Sequence, residues 1–252
     1  MARVLVTAKA FLEGPFVVAM NRMNDALRSG ALPVTYPLIP AAQPYGIAPW
    51  NYGGTETATP GVFTTTGDNA IVDWVLLEVR NAATPSSFLA RRAALIQRDG
   101  DIVDVDGISP VRFQGLLPAS YHLALRHRNH LGIMTASPVA MTGATAAIDF
   151  TVGTTATFGT NARKTVGAAR LMWAGNVLAD SQLKYTGTSN DRDPILTLIG
   201  GSVPTNTVNG YLRQDVTMNG QAAYTGTGND RDPILLNIGG SVPTNIRAEQ
   251  LP

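Results

Sequence analysis

Residues Tyr185–Thr207 and Tyr224–Ile246 are near copies of each other. They read YTGTSNDRDPILTLIGGSVPTNT and YTGTGNDRDPILLNIGGSVPTNI, and agree at 19 of 23 positions at an offset of 39. Such self-similarity means that the tail is built from one supersecondary unit used twice, and neither copy can cover its own apolar side alone. A solenoid needs about three or more units to bury a continuous core, so two copies predict a closed pair, placed at 169–252. In each copy Asp193-Pro194 and Asp232-Pro233 read as a helix start with proline in the first turn. Gly200-Gly201 and Gly239-Gly240 read as the stop.

Ahead of the repeats, short β-rich runs alternate with turn signals: Ala70–Arg80, Ser87–Gln97, Asp101–Val105, Val111–Gln114, Tyr121–Arg128 and Ala146–Thr151. At the start Val4, Val6, Ala8 and Ala10 alternate with Arg3, Thr7 and Lys9, the period of a half-buried strand. The pattern predicts a mainly β chain with a β-sandwich over 1–142, a β-rich connector over 143–168, and the repeat module with its short helices after that. Asp99-Gly100 and Asp106-Gly107 read as hairpin turns. In the strand from Tyr121, the residues Tyr121, Leu123 and Leu125 face one way, so one face is expected to look inward. Met20–Ser29 reads as a short helix with Met20, Met23, Ala26 and Leu27 on one stripe and Gly30 as its stop. The stretch 33–69 is rich in proline and glycine yet carries Tyr36, Tyr45, Trp50 and Tyr52, which predicts a long packed loop. Its rings either cover the open end of the sandwich or form a contact surface for sugar or a neighbouring subunit.

The second copy is introduced by Asp215-Val-Thr217-Met-Asn219-Gly220-Gln221, which follows the opening of a calcium loop: oxygen side chains at positions 1, 3 and 5, a glycine at the sharp turn, and a backbone carbonyl at position 7. The twelfth position is Gly226, so the closing carboxylates would come later, from Asp230 and Asp232, across an insertion. In the first copy the aligned residues are Asn176, Leu178, Asp180 and Ser181, closed by Asp191 and Asp193; Leu178 offers no oxygen, which predicts weaker occupancy. Capping alone would account for Asp193 and Asp232, but not for Asp191, Asp215, Asn219 or Asp230.

Other chemistry has little foothold. The chain has no cysteine, which excludes disulfides, zinc-thiolate sites and thiol nucleophiles. With 19 Lys+Arg against 18 Asp+Glu the net charge is +1, so no general attraction to nucleic acid or an anionic membrane is expected. No apolar run approaches the ~20 residues of a membrane helix. The first residues lack the features of a signal peptide, so an exported form would begin after processing. His127 and His130 would point to opposite faces of an extended strand, and Asp99, Asp101, Asp104 and Asp106 read as turn residues. No nucleophile elbow, zinc-protease helix or phosphate-binding glycine loop is present, and the expectation is that the protein is not an enzyme.

Phe11-Leu-Glu-Gly-Pro15, Met23-Asn-Asp-Ala-Leu27, Ala70-Ile-Val-Asp-Trp-Val-Leu-Leu-Glu78, Gln97-Arg-Asp-Gly-Asp101, Val103-Asp-Val-Asp-Gly107 and Arg126-His-Arg-Asn-His-Leu-Gly132 resemble a module of large secreted bacterial surface proteins described as hemagglutinin-like or adhesin-like, many of them substrates of type IX secretion. The duplicated tail and the closing Glu249-Gln-Leu-Pro252 resemble the dockerin-like calcium segment at the end of such proteins. The resemblance implies an extracellular or cell-surface, non-catalytic protein with Ca2+ in its C-terminal module. Family copies usually read Asp-Val-Asn-x-Asp-Gly, so Thr217 and Asn219 are departures that weaken the charge of the site. A weakly charged surface and an unaccompanied set of display modules suggest a homo-oligomer or filament. The alternatives are an anchor that tethers cargo to a surface-protein partner, and glycan recognition through Tyr36, Tyr45, Trp50 and Tyr52.

Overall fold

The computed structural model describes residues 2–252 and leaves Met1 and the side chains of Thr145 and Ala146 undescribed. The chain is mainly β. It opens with β1 (Arg3–Lys9), β2 (Phe11–Leu12), a small hairpin of β3 (Phe16–Val17) and β4 (Arg22–Met23), and the one-turn helix α1 (Ala26–Ser29). The main strands follow: β5 (Ile71–Arg80), β6 (Phe88–Gln97), β7 (Asp101–Val103), β8 (Val111–Gln114), β9 (Ala119–Arg126), β10 (Ile133–Met134), β11 (Val139–Met141) and β12 (Thr145–Asp149).

The helix expected over Met20–Ser29 shrinks to α1, because Met23 is drawn into β4, where its sulfur accepts the Leu12 N–H and its side chain is fully buried. Gly30 follows the helix in an extended conformation, and a side chain has no room there, since a Cβ would meet the Ala26 carbonyl and the Tyr36 hydroxyl.

Hydrogen bonding joins nine strands in one path, β10-β9-β5-β6-β7-β1-β12, with β8 also on β1 and β11 on β9, rather than in two separate sheets. The path curls: β11 packs against β12 and β1, which brings the two ends together around a single core. Asp99-Gly100 turns β6 into β7 as expected. Asp106-Gly107 does not make a hairpin. β7 and β8 lie one after the other along β1, and the chain between them is a tight excursion closed by the Asp104 N–H on the Ser109 carbonyl.

β5 is buried along its whole length, and β9 is buried on both faces from Tyr121 to Leu125, not on one. The long loop covers one side of β5, with the Tyr45 hydroxyl on the Trp74 carbonyl and the Trp74 indole on Pro40. The other side meets the tail. β13 (Arg163–Val166) pairs with β14 (Ala169–Met172), and β14 runs parallel to β2, so the residues leading into the repeats are woven into the body.

The repeats contain β15 (Gln182–Lys184), α2 (Asp193–Leu198), β16 (Thr207–Asn209), β17 (Gln221–Ala223), α3 (Arg231–Asn237) and β18 (Ile246–Ala248). They exchange strands. β15 at the head of the first copy pairs with β18 at the end of the second, and β16 at the end of the first pairs with β17 at the head of the second. Thr186 Oγ1 donates to Pro243 O and Thr225 Oγ1 to Pro204 O, both at 2.9 Å, which repeats the exchange in side chains. Val177, Ile195, Val216 and Ile234 fill the space between the copies, so the pair is closed as the duplication predicts.

A buried polar hub fastens this pair to the sheet. Arg128 Nε donates to Asp73 at 2.9 Å, the Tyr211 hydroxyl donates to the same carboxylate at 2.6 Å, and His127 Nε2 lies 3.1 Å from it. Asn129 Nδ2 donates to the Arg213 and Asp215 carbonyls, and a Cβ on Gly14 would stand 2.2 Å from Val216 O, so the backbones themselves touch. Burial pushes the Asp73 carboxyl up, but the Arg128 charge and the His127 contact outweigh it and hold the group down at about 2. Asp73→Ala should destabilise the protein by about 3–5 kcal/mol, because it leaves the Arg128 charge buried without a partner. Urea unfolding measures this, and a loss below ~1 kcal/mol would contradict the role given to the hub.

Candidate functional site

Asp215 and Asp230 are the two residues on which any cation chemistry in the second copy depends, and both are fully buried. Asp215 Oδ1 accepts the Asn219 N–H at 3.0 Å and Oδ2 the Gly220 N–H at 2.8 Å, which curls the loop around the carboxylate. Asp230 reaches back into that loop, with Oδ1 on the Thr217 N–H at 2.9 Å and Oδ2 on the Ala223 N–H at 2.8 Å. Thr217 Oγ1 sits between them, 3.1 Å from Asp230 and 3.4 Å from Asp215. Asn219 Oδ1 accepts the Gln221 N–H at 2.8 Å, and Gly220 has a φ of +90°, the left-handed turn that favours glycine.

The first copy repeats the frame with fewer charges. Asn176 Oδ1 accepts the Asp180 N–H, Asp180 Oδ1 accepts the Gln182 N–H, and Asp191 accepts from Leu178 N at 3.0 Å and Lys184 N at 2.9 Å. Ser181 stands in for glycine at a φ of +68°, a conformation a serine holds at some cost.

Asp193 and Asp232 are not brought to these loops. Each carboxylate takes the amide of Asn190 or Asn229 and pairs with the neighbouring Arg192 or Arg231, and those hydrogen bonds hold both acids below the usual carboxylate range. Neither caps its helix; the Asn190 and Asn229 side chains accept the Asp193 and Asp232 N–H groups at 2.9 Å instead.

Burial pushes Asp215 up to about 6, against the pull of Arg128. Burial also pushes Asp230 up to about 7, with the Asp215 charge adding to it, and Asp191 up to about 7, with Asp180 adding. None of the three forms a salt bridge among the described residues, and the backbone amides around them do not fully offset the loss of water. The donor set is all oxygen: two carboxylates, a hydroxyl, an amide and a backbone carbonyl in the second copy, which suits a hard cation of irregular coordination. Among the described residues no three Asp, Glu, His or Cys side chains group to hold a metal ion, so a cation would draw on these neutral oxygens as well.

The histidines behave differently from expectation. The chain leaves β9 at Arg126, and the bend after it brings the His127 and His130 rings edge to face, 4.7 Å apart between centres. Burial lowers both below the ordinary histidine range, so they serve the hub as neutral rings. Asp99 and Asp101 pair with Lys9, Asp104 with Arg92, and Asp106 caps the turn at Ser109. In the long loop Tyr45 is fully buried, and the Tyr36 and Tyr52 hydroxyls bond within the protein, to Leu32 N and Glu56. The ion pair of Glu78 and Arg80 was not anticipated, although two opposite charges two residues apart at the end of a mostly apolar strand, whose only other charge is Asp73, are a readable signal of it.

Comparison with protein-family models, with curated proteins and with solved structures finds no match. No helix among the described residues is long and apolar enough to cross a membrane.

A carboxyl whose folded-state value lies above its unfolded value, ~3.9, binds its proton more tightly in the native state, so it favours folding at low pH and that contribution is lost as pH rises from ~4 to ~7. The buried histidines act in the opposite sense below pH ~6.5. In EDTA, Asp191→Asn and Asp230→Asn should therefore each lose less stability than the parent between pH 5 and pH 8, measured by denaturant unfolding at each pH. Identical pH slopes in parent and variants would contradict the assignment of buried, uncompensated carboxylates.

Proposed function

We propose that the chain is a non-catalytic structural protein of the extracellular or cell-surface kind, whose C-terminal repeats bind calcium and whose rigid body self-associates. The observation that carries the calcium reading is the pair Asp215 and Asp230, buried together around the Thr217 hydroxyl with no cationic side chain bonded to either. Asp215, Thr217, Asn219, Asp230 and the Gln221 carbonyl would hold the ion in the second copy, and Asn176, Asp180 and Asp191 in the first. An ion there would supply the positive charge that the two carboxylates lack. The surface setting rests on the resemblance of the sequence to secreted adhesin-like modules.

The structural reading draws support from the way the repeats are mounted. Glu249 binds Arg126 and, at 2.6 Å, the Gly132 N–H. Glu13 binds Lys164, Asn237 and the Ala174 N–H. Trp173 is stacked under Arg247 at 3.6 Å. A module bonded to its body at so many points suits a rigid building block better than a separable anchor on a flexible linker, which is the alternative.

Calcium titration calorimetry on the whole chain should give binding that Asp215→Asn or Asp230→Asn weakens by roughly tenfold or more, since charge count sets affinity in such loops. Asp193→Asn should leave it near the parent value. At a calcium concentration 100 times the Kd, stability should rise by about 2.7 kcal/mol. Calorimetry without heat and thermal midpoints unmoved by calcium would remove the reading. Light scattering of the same samples tests self-association, and a monomer at every concentration with and without calcium would remove that part alone.

A further inference from the structure

The two repeat copies differ at few positions, and one of them is the last residue of the helix: Leu198 in α2 and Asn237 in α3. Asn237 is fully buried, and its side chain meets two charged groups from outside the repeats. Lys164 Nζ, on β13, donates to Asn237 Oδ1 at 2.8 Å, while Asn237 Nδ2 donates to Glu13 Oε2 at 2.7 Å and to the Ala174 carbonyl at 2.9 Å. Lys164 Nζ also binds Glu13 Oε1, so a single carboxylate touches both the amine and the amide. The neighbours fix both partners. Lys164 Nζ lies 5.5 Å from the centre of the Trp173 ring, and Arg247, stacked on the same ring, donates through Nε to the Asn237 backbone carbonyl at 2.6 Å. Trp173 itself packs on the apolar cluster of Leu131, Leu183 and Ile238. The first copy builds the same helix with a leucine, so the helix does not require an amide at this place; the amide serves the contact with Lys164 and Glu13.

We propose that Lys164 and Asn237 join through their side chains in an intramolecular isopeptide bond, with Glu13 as the catalytic base and acid. Glu13 takes a proton from the Lys164 ammonium, and the freed Nζ lone pair attacks the Asn237 side-chain carbonyl carbon. The Nζ–Cγ bond forms as the Cγ–Nδ2 bond breaks. Glu13 returns its proton to the departing nitrogen, which also takes the surplus proton of Nζ and leaves as ammonium. A lysine ammonium and a primary amide thus become a secondary amide and an ammonium ion, and the balance needs no oxidant or second substrate. Amides react slowly with amines in water, and the site supplies what such a reaction lacks there. The two groups are already in contact, which removes the entropic cost of their encounter. The buried amide faces the amine rather than water, and the base is bonded to both. The link closes the chain from β13 to the end of α3 into a covalent loop around most of the repeat pair, which lowers the entropy of the unfolded chain. It does not rest on calcium in the repeats.

Mass spectrometry of the whole chain, folded and then denatured, tests the proposal. The parent should be lighter than its amino-acid sequence by the mass of one ammonia. Trypsin does not cut after an acylated lysine, so its digest should contain residues 164–170 joined to residues 232–247 as one branched peptide. Lys164→Arg and, separately, Glu13→Gln should each show the full sequence mass and release 232–247 unlinked. The reading on the parent needs no variant, so it decides the matter even where a variant folds poorly. A parent at its full sequence mass, 232–247 recovered unlinked from the folded parent, or a loss of ammonia that survives in Lys164→Arg would each overturn it.

Discussion

β15 of the first repeat copy hydrogen-bonds to β18 of the second, and β16 of the first to β17 of the second, so each ribbon of the tail contains one strand from each copy. That exchange fixes the positions of the buried carboxylates. Asp191 binds the amide of Lys184 at the end of β15, and Asp230 binds the amide of Ala223 at the end of β17. Both acidic loops are therefore held by ribbons that span the duplication, and neither loop belongs wholly to its own copy. The isoleucines Ile195 and Ile234, one from each helix, then fill the interior that the exchange encloses.

The hub around Asp73 transmits this order to the sheet. Arg128, Tyr211 and His127 share one carboxylate, and Asn129 clasps the carbonyl of Asp215 itself at 2.7 Å. An ion that stiffened the second loop would thus act on backbone that is directly bonded to the end of β9. Glu249, Arg126 and Glu78 form a second link, which ties the end of the chain to β9 and β5. Charged side chains join body and tail at two places, a dry one at Asp73 and a partly exposed one at Arg126.

Several features were legible in the sequence because they are local. The duplication announced a closed pair, the double glycines ended both helices, and the runs at Ala70–Arg80, Ser87–Gln97 and Val111–Gln114 became strands within a residue or so. Pairing was not legible. β1 runs parallel to β12 and lies beside both β7 and β8, contacts between residues about ninety or more positions apart, and the step from β7 to β8 imitates a hairpin turn. The helix read at Met20–Ser29 was lost to the same cause, since burying Met23 in a strand outweighed a weak helical stripe. In the candidate site Asp215, Thr217 and Asn219 lie in one loop, and Asp230 reaches it from beyond the position where a standard loop would close. The Asp232 carboxylate instead takes the Asn229 amide and the Arg231 guanidinium. The histidines meet because the chain bends after Arg126, and periodicity carries no information about a bend.

A cation held between Asp215 and Asp230 would be seen in crystals grown in calcium, with anomalous scattering recorded at a wavelength where the metal contributes. Calcium there should give a peak between the two carboxylates with six to eight oxygens at about 2.3–2.6 Å. A map with no peak there, in which both carboxylates touch only the amides of Thr217, Asn219, Gly220 and Ala223, would contradict it.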